Sequence, residues 1–439
     1  MNERTGENHD ARDADPRLRS LACVIIILFS ANFLVWGLFQ PLWQALKPEA
    51  THGNDFVGLY YGGKDLIEGK FVYDRFDRFF YPPEKRTGGA SFCNLPPLAF
   101  LMAPFAALPY HAARISFLIF KILLLLLSLY LFMKTLAGKP TLPDFAAAAL
   151  LAGTFNPLFH DLEIGQSNVI MLFLLVLMYR AYLGGKIFLS ALALAGAIEM
   201  KLFPALFLLL FLVRRDFRFI LHCALSLALI NLLTLALAGA DEFVYFFTKV
   251  LPVYGKLEST RAIMGNQTLR GALERLLNLN PNNDPLIFAP RLVAPLHIAA
   301  SAALVAVSSA LCARFPRRTT PPFGISLALF FPLALIVIPH GETHYFTILL
   351  LPLLILLTDR AAGTDPRRRT WFLLAFASYY LFGFPLRFTG YFKTGPLTLL
   401  SSTMFFGLAA FWLALAFILR RRTQPPDERN PETLHGTDG

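Results

Sequence analysis

Asp55 stands in HGNDFVGLYYGG, a carboxylate followed by aromatic and small residues. A carboxylate close to a membrane surface is partly desolvated, which raises its pKa toward the range useful for taking a proton from a hydroxyl. The same residue type also makes a good helix N-cap, so both roles stay open. In HDLEIGQSN, Asp161 and Glu163 precede Gln166 and Asn168, a set able to bind a sugar or a cationic partner, or simply to form a solvated turn. Lys201 follows Glu199 by two residues and either meets a phosphate as a point charge or is neutralised by that neighbour. His340, Glu342 and His344 share PHGETHYF; two histidines and one acid in a single five-residue turn are a weak zinc signal, and a hydrogen-bonding or phosphate-facing His344 fits better. Arg261, Arg270 and Arg275 are able to clamp a phosphate bidentately or to attract anionic headgroups. Lys121 lies inside an apolar run, where a charge is costly, so it needs a partner or must snorkel.

Other chemistries are missing from the chain. There is no GxxxxGK[ST], GxGxxG, HExxH or GxSxG, and Asp13-Ala14-Asp15, the one DxD, sits in a polar N-terminal tail. A cytoplasmic nucleotide-sugar or ATP site is therefore not expected. Cys23, Cys93, Cys223 and Cys312 show no CxxC spacing, and three of them lie in apolar runs. Neither a disulfide framework nor a structural metal is indicated, and no cofactor is expected.

The elements that must position these residues are membrane helices. Of 439 residues, 56% are hydrophobic and only 16% charged, against roughly 25% charged in soluble domains. The mean hydropathy is +0.53. The net charge of +11 would suit nucleic acid in a soluble chain, but the basic residues fall in loops flanking apolar runs, so no nucleic-acid partner is expected. Leu21 to Gln40 matches the ~20 residues needed to cross the hydrocarbon, and no cleavage pattern follows it. Counting the later runs makes twelve spans, all α. Alternating them from a cytoplasmic N-terminus puts Lys134, Arg180, Arg214, Arg314, Arg360 and Arg420 inside, and leaves the outside turns 161–167 and 340–344 without Lys or Arg.

The expected organisation is a cytoplasmic tail over 1–20, a transmembrane domain over 21–419 and a disordered cytoplasmic tail over 420–439. Two large extracytoplasmic loops, 41–114 and 240–290, would house the chemistry. In the first, Phe56, Tyr60, Gly63, Leu66 and Ile67 share one helical face that stops at Gly69. In the second, GNQTLRGALERLL places Leu269, Ala272, Leu273, Leu276 and Leu277 on one face, with Asn266 or Thr268 as cap. The stretch 187–213 is too short for two full spans and reads as a helix pair broken at Lys201 and Pro204, or as one kinked helix. The run 95–109 has Pro near both ends and suits a re-entrant or interfacial helix.

DFVGLYYGGKDLIEGKFVYD, NLPPLAFLMAPFAALP, IGQSNVIMLFLLVL, LAGAIEMKLFPALFLLLFLVRR, GNQTLRGALERLL and HGETHYFTILLLPLL occur in that order. Together they resemble the polytopic GT-C glycosyltransferases, most closely glycosyltransferase family 87, the polyprenyl-phosphate-mannose-dependent alpha-mannosyltransferases. The resemblance runs from about residue 20 to 360. It implies a GT-C fold, with juxtamembrane helices of the first outer loop over a cavity open to the outer leaflet. The family's catalytic base, the acid of its D-F-x-x-x-Y block, falls on Asp55. The histidine of the H-Y-F block, expected to help hold the donor phosphate, falls on His344. The G-Q and K-x-x-P blocks that line the cavity fall on Gly165, Gln166, Lys201 and Pro204. The family's Tyr-Pro-Pro-Leu is split here between Tyr81-Pro82-Pro83-Glu84 and Pro96-Pro97-Leu98, with an insertion around Lys85 to Asn94.

The expected activity is an inverting transfer of a hexose, mannose first, from a polyprenyl phosphate donor to a lipid or polysaccharide acceptor outside the plasma membrane of a bacterium. Asp55 would be the base, with Lys201, His344 and Arg270 facing the donor phosphate, Gln166 and Asn168 in the cavity, and Asp161 and Glu163 as further acidic candidates. An arabinofuranosyl or other pentosyl transferase of the same fold is the alternative, and a lipid-linked-sugar flippase the rival of another class; acids clustered in outer loops rather than at the bilayer midplane favour an enzyme.

Overall fold

A computed structural model describes residues 16–46, 55–76, 91–136, 139–256, 265–280, 283–315, 320–358, 366–383 and 393–422. Asp13 and Asp15, the Tyr81-Pro82-Pro83 copy, Lys85, Arg261, Arg360 and the tail beyond Arg422 lie outside them.

All regular structure among the described residues is helical. The helices are α1 (Pro16–Leu46), α2 (Phe56–Ile67), α3 (Pro96–Ala106), α4 (Tyr110–Met133), α5 (Leu142–Thr154), α6 (Asn156–Ile164), α7 (Asn168–Leu183), α8 (Ile187–Met200), α9 (Phe207–Val213), α10 (Phe217–Ala238), α11 (Asp241–Tyr245), α12 (Leu251–Lys256), α13 (Leu269–Leu277), α14 (Val293–Ala313), α15 (Thr320–Val337), α16 (Leu350–Leu357), α17 (Pro366–Gly383) and α18 (Thr403–Arg422). Among the described residues, five helical segments are long and apolar enough to cross a membrane: Pro16–Leu46, Tyr110–Met133, Phe217–Ala238, Pro290–Ala313 and Gly395–Arg422. The remaining apolar runs form shorter helices. The described residues thus form an all-helical polytopic membrane fold, with leucines such as Leu232 and Leu237 on the exposed flank of α10, as a lipid-facing surface requires.

The stretch 187–213 resolves into a broken pair. α8 stops at Met200, Lys201 is extended (φ −156°, ψ 143°), and a 3-10 turn, Phe203–Leu206, with Pro204 in its first turn leads into α9. Proline lacks the N–H that would continue α8. Pro96 and Pro97, the second copy of the split motif, open α3.

α2 forms where its pattern predicts and ends with Gly69 in the left-handed region (φ +64°). Phe56 and Tyr60 are buried, but Ile67 is exposed, and the buried polar member is Asp65, held bidentately by Arg75 (3.2 and 3.4 Å), whose guanidinium lies 4.0 Å from the Tyr61 ring. α2 packs on α3 through glycines: a Cβ on Gly63 would stand 2.8 Å from the Met102 carbonyl carbon. Backbone cannot yield as a side chain end can, so Gly63→Ala should destabilise the protein by about 1–3 kcal/mol, read as a lowered thermal midpoint in detergent.

The segment after α2 is joined to α11. The Val72 N–H donates to Glu242 Oε1 (3.1 Å), and Tyr73 stacks on Tyr245 (5.5 Å). Burial pushes the Glu242 carboxyl up to about 7. The Val72 N–H favours the ionised carboxylate and opposes the shift, but burial outweighs it, so the packing around Glu242 is most stable while the carboxyl is protonated and weakens as pH rises from the ordinary value of 4.5 through about 7. Hydrogen exchange of the Val72 amide, intrinsic rates aside, should therefore quicken as pH rises from about 4.5 to about 7 in the wild type and show no such rise in Glu242→Gln.

Candidate active site

Asp55 occupies the N-cap position of α2 without capping it. Its own φ and ψ (−67°, −22°) are helical, its carbonyl accepts the Gly58 and Leu59 N–H groups, and its side chain makes no cap bond. The carboxylate instead accepts a hydrogen bond from Gln166 Nε2 at Oδ2 (2.9 Å). Burial raises its pKa above the usual carboxylate range; the Gln166 bond and the charges of Lys201 and His160 pull it down, and that of Glu342 pushes it up. An acid so released from capping and kept from full solvation suits general-base work.

Gln166 reaches Asp55 from the turn between α6 and α7. Gly165 ends α6 in the left-handed conformation (φ +76°), where a Cβ would be strained. The Gly165 and Gln166 N–H groups both donate to the Asp161 carbonyl (3.1 Å each). The Asp161 side chain lies away from solvent. Its Oδ1 is 3.3 Å from Lys121 Nζ, and its Oδ2 accepts from the Asn168 N–H (3.0 Å) and Nδ2 (2.7 Å). Asp161 and Asn168 thus face each other inside the fold, and Lys121 has the partner that its depth requires. Glu163 is half-exposed and exerts its charge on Arg114.

Lys201 and Glu199 do not neutralise each other. Glu199 accepts from Asn231 Nδ2 across α8 and α10. Lys201 lies between two helices, with its Nζ 3.4 Å from the Tyr345 ring centroid; that Nζ is buried with no hydrogen-bond partner among the described residues. Burial lowers its pKa to about 8, against the opposing pull of Asp161, Asp55 and Glu342. It lines a cleft of about 170 Å³ whose other walls include Met200, Phe203, Phe246, Leu251 and Tyr345.

The PHGETHYF turn supplies the third side. His340 Nε2 lies 3.1 Å from Glu342 Oε1, and His344 Nδ1 lies 3.8 Å from Glu342 Oε2. Burial pushes the Glu342 carboxyl up, but the His340 bond and the charges of His340, Lys201 and His160 outweigh it and leave it below its ordinary value. Both ring nitrogens of His344 are buried with no hydrogen-bond partner among the described residues. Buried polar groups normally find partners, so these nitrogens and Lys201 Nζ stand out as groups that the fold itself does not satisfy with hydrogen bonds. No group of three or more potential metal ligands occurs among the described residues.

Arg270 does not join this cluster in the same way: it pairs with Glu274 one turn on (3.7 Å), and its charge acts on His297. Arg275 is buried and binds Ser402 Oγ (3.0 and 2.8 Å) and the Asn266 carbonyl (2.8 Å). The GNQT segment grips the histidine turn: Asn266 Oδ1 accepts from the Gly341 N–H (3.2 Å), and the Gln267 N–H donates to the Gly341 carbonyl (3.0 Å). Thr268 is the cap of α13, accepting from the Gly271 N–H (3.1 Å).

His160 is the residue that sequence reasoning missed. It precedes Asp161 on α6, its ring is 6.0 Å from that of His344, and its charge is felt by Asp55 and Glu342. α6 packs directly on the 3-10 segment Thr343–Leu349. The available signal was its place at the head of the same HDLEIGQSN block.

Residues 92–339 match glycosyltransferase family 87, more than half of the chain. The chain belongs to that family. It is also similar to polyprenol-phosphate-mannose-dependent alpha-(1-2)-phosphatidylinositol mannoside mannosyltransferases: 29% identical over 276 residues to that of Mycobacterium tuberculosis, covering 60% of this chain and 61% of the relative. The Mycolicibacterium smegmatis protein of the same description is 28% identical over 372 residues, covering 78% of this chain and 79% of its own length. The chain thus spans less than two thirds of the length of the first of these relatives. The family match begins after Asp55 and ends before Glu342 and His344.

Proposed function

We propose that the chain is a membrane mannosyltransferase of GT-C architecture that uses a polyprenyl-phosphate-mannose donor, as its mycobacterial relatives are described to do. Its acceptor is a lipid or glycan hydroxyl. The apolar runs make about twelve spans within 21–419, the short helices packing as partial spans, and both termini face the cytoplasm. The site sits on the extracytoplasmic side of a bacterial plasma membrane, under the loops 41–114 and 240–290. Supporting this reading are the basic loops of the sequence, the packing of α2 on α3, and that of α3 on α8, which ends just before Lys201.

The observation that carries the reading is a carboxylate withdrawn from capping, Asp55, grouped with two buried cationic or dipolar groups that have no hydrogen-bond partner among the described residues, Lys201 Nζ and His344. In the reaction, Asp55 takes the acceptor's hydroxyl proton as that oxygen bonds to the anomeric carbon. The bond from that carbon to the phosphate oxygen breaks on the opposite face, which inverts the centre. The donor phosphate leaves with one more negative charge, and Lys201 and His344 stabilise it where water is excluded. The prenyl chain lies against the apolar cleft walls formed by Met200, Phe203, Phe246 and Leu251.

Purified protein in liposomes, given labelled synthetic polyprenyl-phosphate-mannose and a pool of envelope lipids and glycans, tests this. Mannosylated acceptor together with released polyprenyl phosphate is the expected result. Labelled donor that only changes leaflet, with no new glycosidic bond, would establish the flippase reading instead.

A further inference from the structure

α4 touches Gln166 and the residue next to Asp55 with side chains one turn apart. Phe117 stacks on Phe56, the residue next to Asp55 (ring centroids 5.4 Å). Four residues on, Lys121 places its Nζ 3.0 Å from the Gln166 carbonyl, 2.8 Å from the Asp161 carbonyl and 3.3 Å from Asp161 Oδ1. The three ammonium protons thus meet three acceptors, two on Asp161 in the last turn of α6 and one on Gln166 in the turn that follows, while Asp161 Oδ2 takes the backbone and side-chain N–H groups of Asn168 at the start of α7.

A buried ion pair contributes little net stability compared with apolar packing, and its attested use is to fix a particular arrangement. Leucine or methionine at both positions would pack α4 on α6. Neither would hold the Gln166 carbonyl, nor tie α7 to the same point.

We propose that Lys121 and Asp161 are positioning residues for the base, holding the 165–168 turn at the spacing from α4 that puts the Gln166 amide on Asp55 Oδ2. This rests on Asp55 being the base. The groups that face Asp55 are Gln166 from the turn, His160 from α6, Lys201 after α8 and Glu342 before the 3-10 segment. Loosening the turn removes the hydrogen bond that favours the ionised carboxylate and leaves burial and Glu342 unopposed by it. The acid limb of the kcat/KM profile then moves to higher pH.

The test measures mannose transfer by the full chain in liposomes across pH for wild type, Lys121→Met, Asp161→Asn, Gln166→Leu and Lys121→Met/Gln166→Leu. Lys121→Met and Gln166→Leu should both move the acid limb up and lower kcat by up to about 100-fold, the size expected for misplacement of about 1 Å, with KM for the donor little changed. The double variant should move the limb no further than Gln166→Leu alone. Asp161→Asn keeps the backbone carbonyl and one side-chain oxygen but turns the other into a donor facing Lys121 or Asn168, and serves if Lys121→Met does not fold; it should give an upward shift as well. An unmoved limb in variants with wild-type thermal unfolding, or shifts that add in the double variant, overturns the inference. Asp55→Asn is run beside them: if it still transfers, the base itself is misassigned, whereas an inactive Asp55→Asn with an unmoved limb in Lys121→Met faults only the positioning pair.

Discussion

Asp55→Asn should reduce mannose transfer by about 10²–10⁴-fold while leaving donor binding in place, because a positioned general base contributes on that scale. The substitution is nearly isosteric, and its amide oxygen still accepts from Gln166 Nε2, so the turn and α2 are left as they are. What disappears is the ability to take a proton as the acceptor oxygen attacks. In the wild type, the base must be ionised, so kcat/KM should rise with pH through a value above the usual carboxylate range, since burial raises Asp55. Asp55→Glu should also be severely impaired: its carboxylate is carried one methylene further, and misplacement of the order of 1 Å costs about 100-fold. Initial rates from a synthetic lipid-phosphate donor, with donor retention measured separately, check all of this. Equal rates for wild type and Asp55→Asn would remove Asp55 from the mechanism.

Lys201→Met should lower kcat/KM by about 10²–10³-fold, the scale found when a preorganised group stabilising developing negative charge is removed. Methionine keeps the apolar stem against Phe203 and Tyr345 and deletes only the charge. The free enzyme's Lys201 sits near 8, so it is protonated below that and loses its charge as pH rises through it. The wild-type kcat/KM profile should therefore fall on a basic limb near pH 8. Lys201→Arg, always charged, should retain part of the activity and carry no such limb. A basic limb unchanged in Lys201→Arg would assign it to another group.

The residues of the site were readable in the chain to different depths. Asp55 was visible as a carboxylate next to aromatics, but a cap and a base look the same in sequence. What separates them is the direction of one side chain, set by Gln166 more than a hundred positions away. Lys201 and Glu199 looked equally like a mutual pair, until the break at Lys201 turned one toward Tyr345 and the other toward Asn231. Asp161, which reads like a solvated turn acid, is held inside the fold because Lys121 brings a charge to depth there. His160 was passed over because helix packing, not spacing, puts it beside His344.

Composition and period alone determined that this chain is helical and membrane-bound, that α2 and α13 form in the blocks that carry them, and which blocks carry polar residues out of the apolar runs. Those are local properties, set by hydropathy over ~20 residues and by capping and glycine at element ends. The tertiary structure alone decided which polar groups are spent on one another and which are left open. Asp161 and Arg275 are consumed inside the fold, whereas Lys201 and His344 are left buried without hydrogen-bond partners among the described residues. That division depends on pairings between residues distant in the chain, made in a low-dielectric interior where each unmet donor is costly.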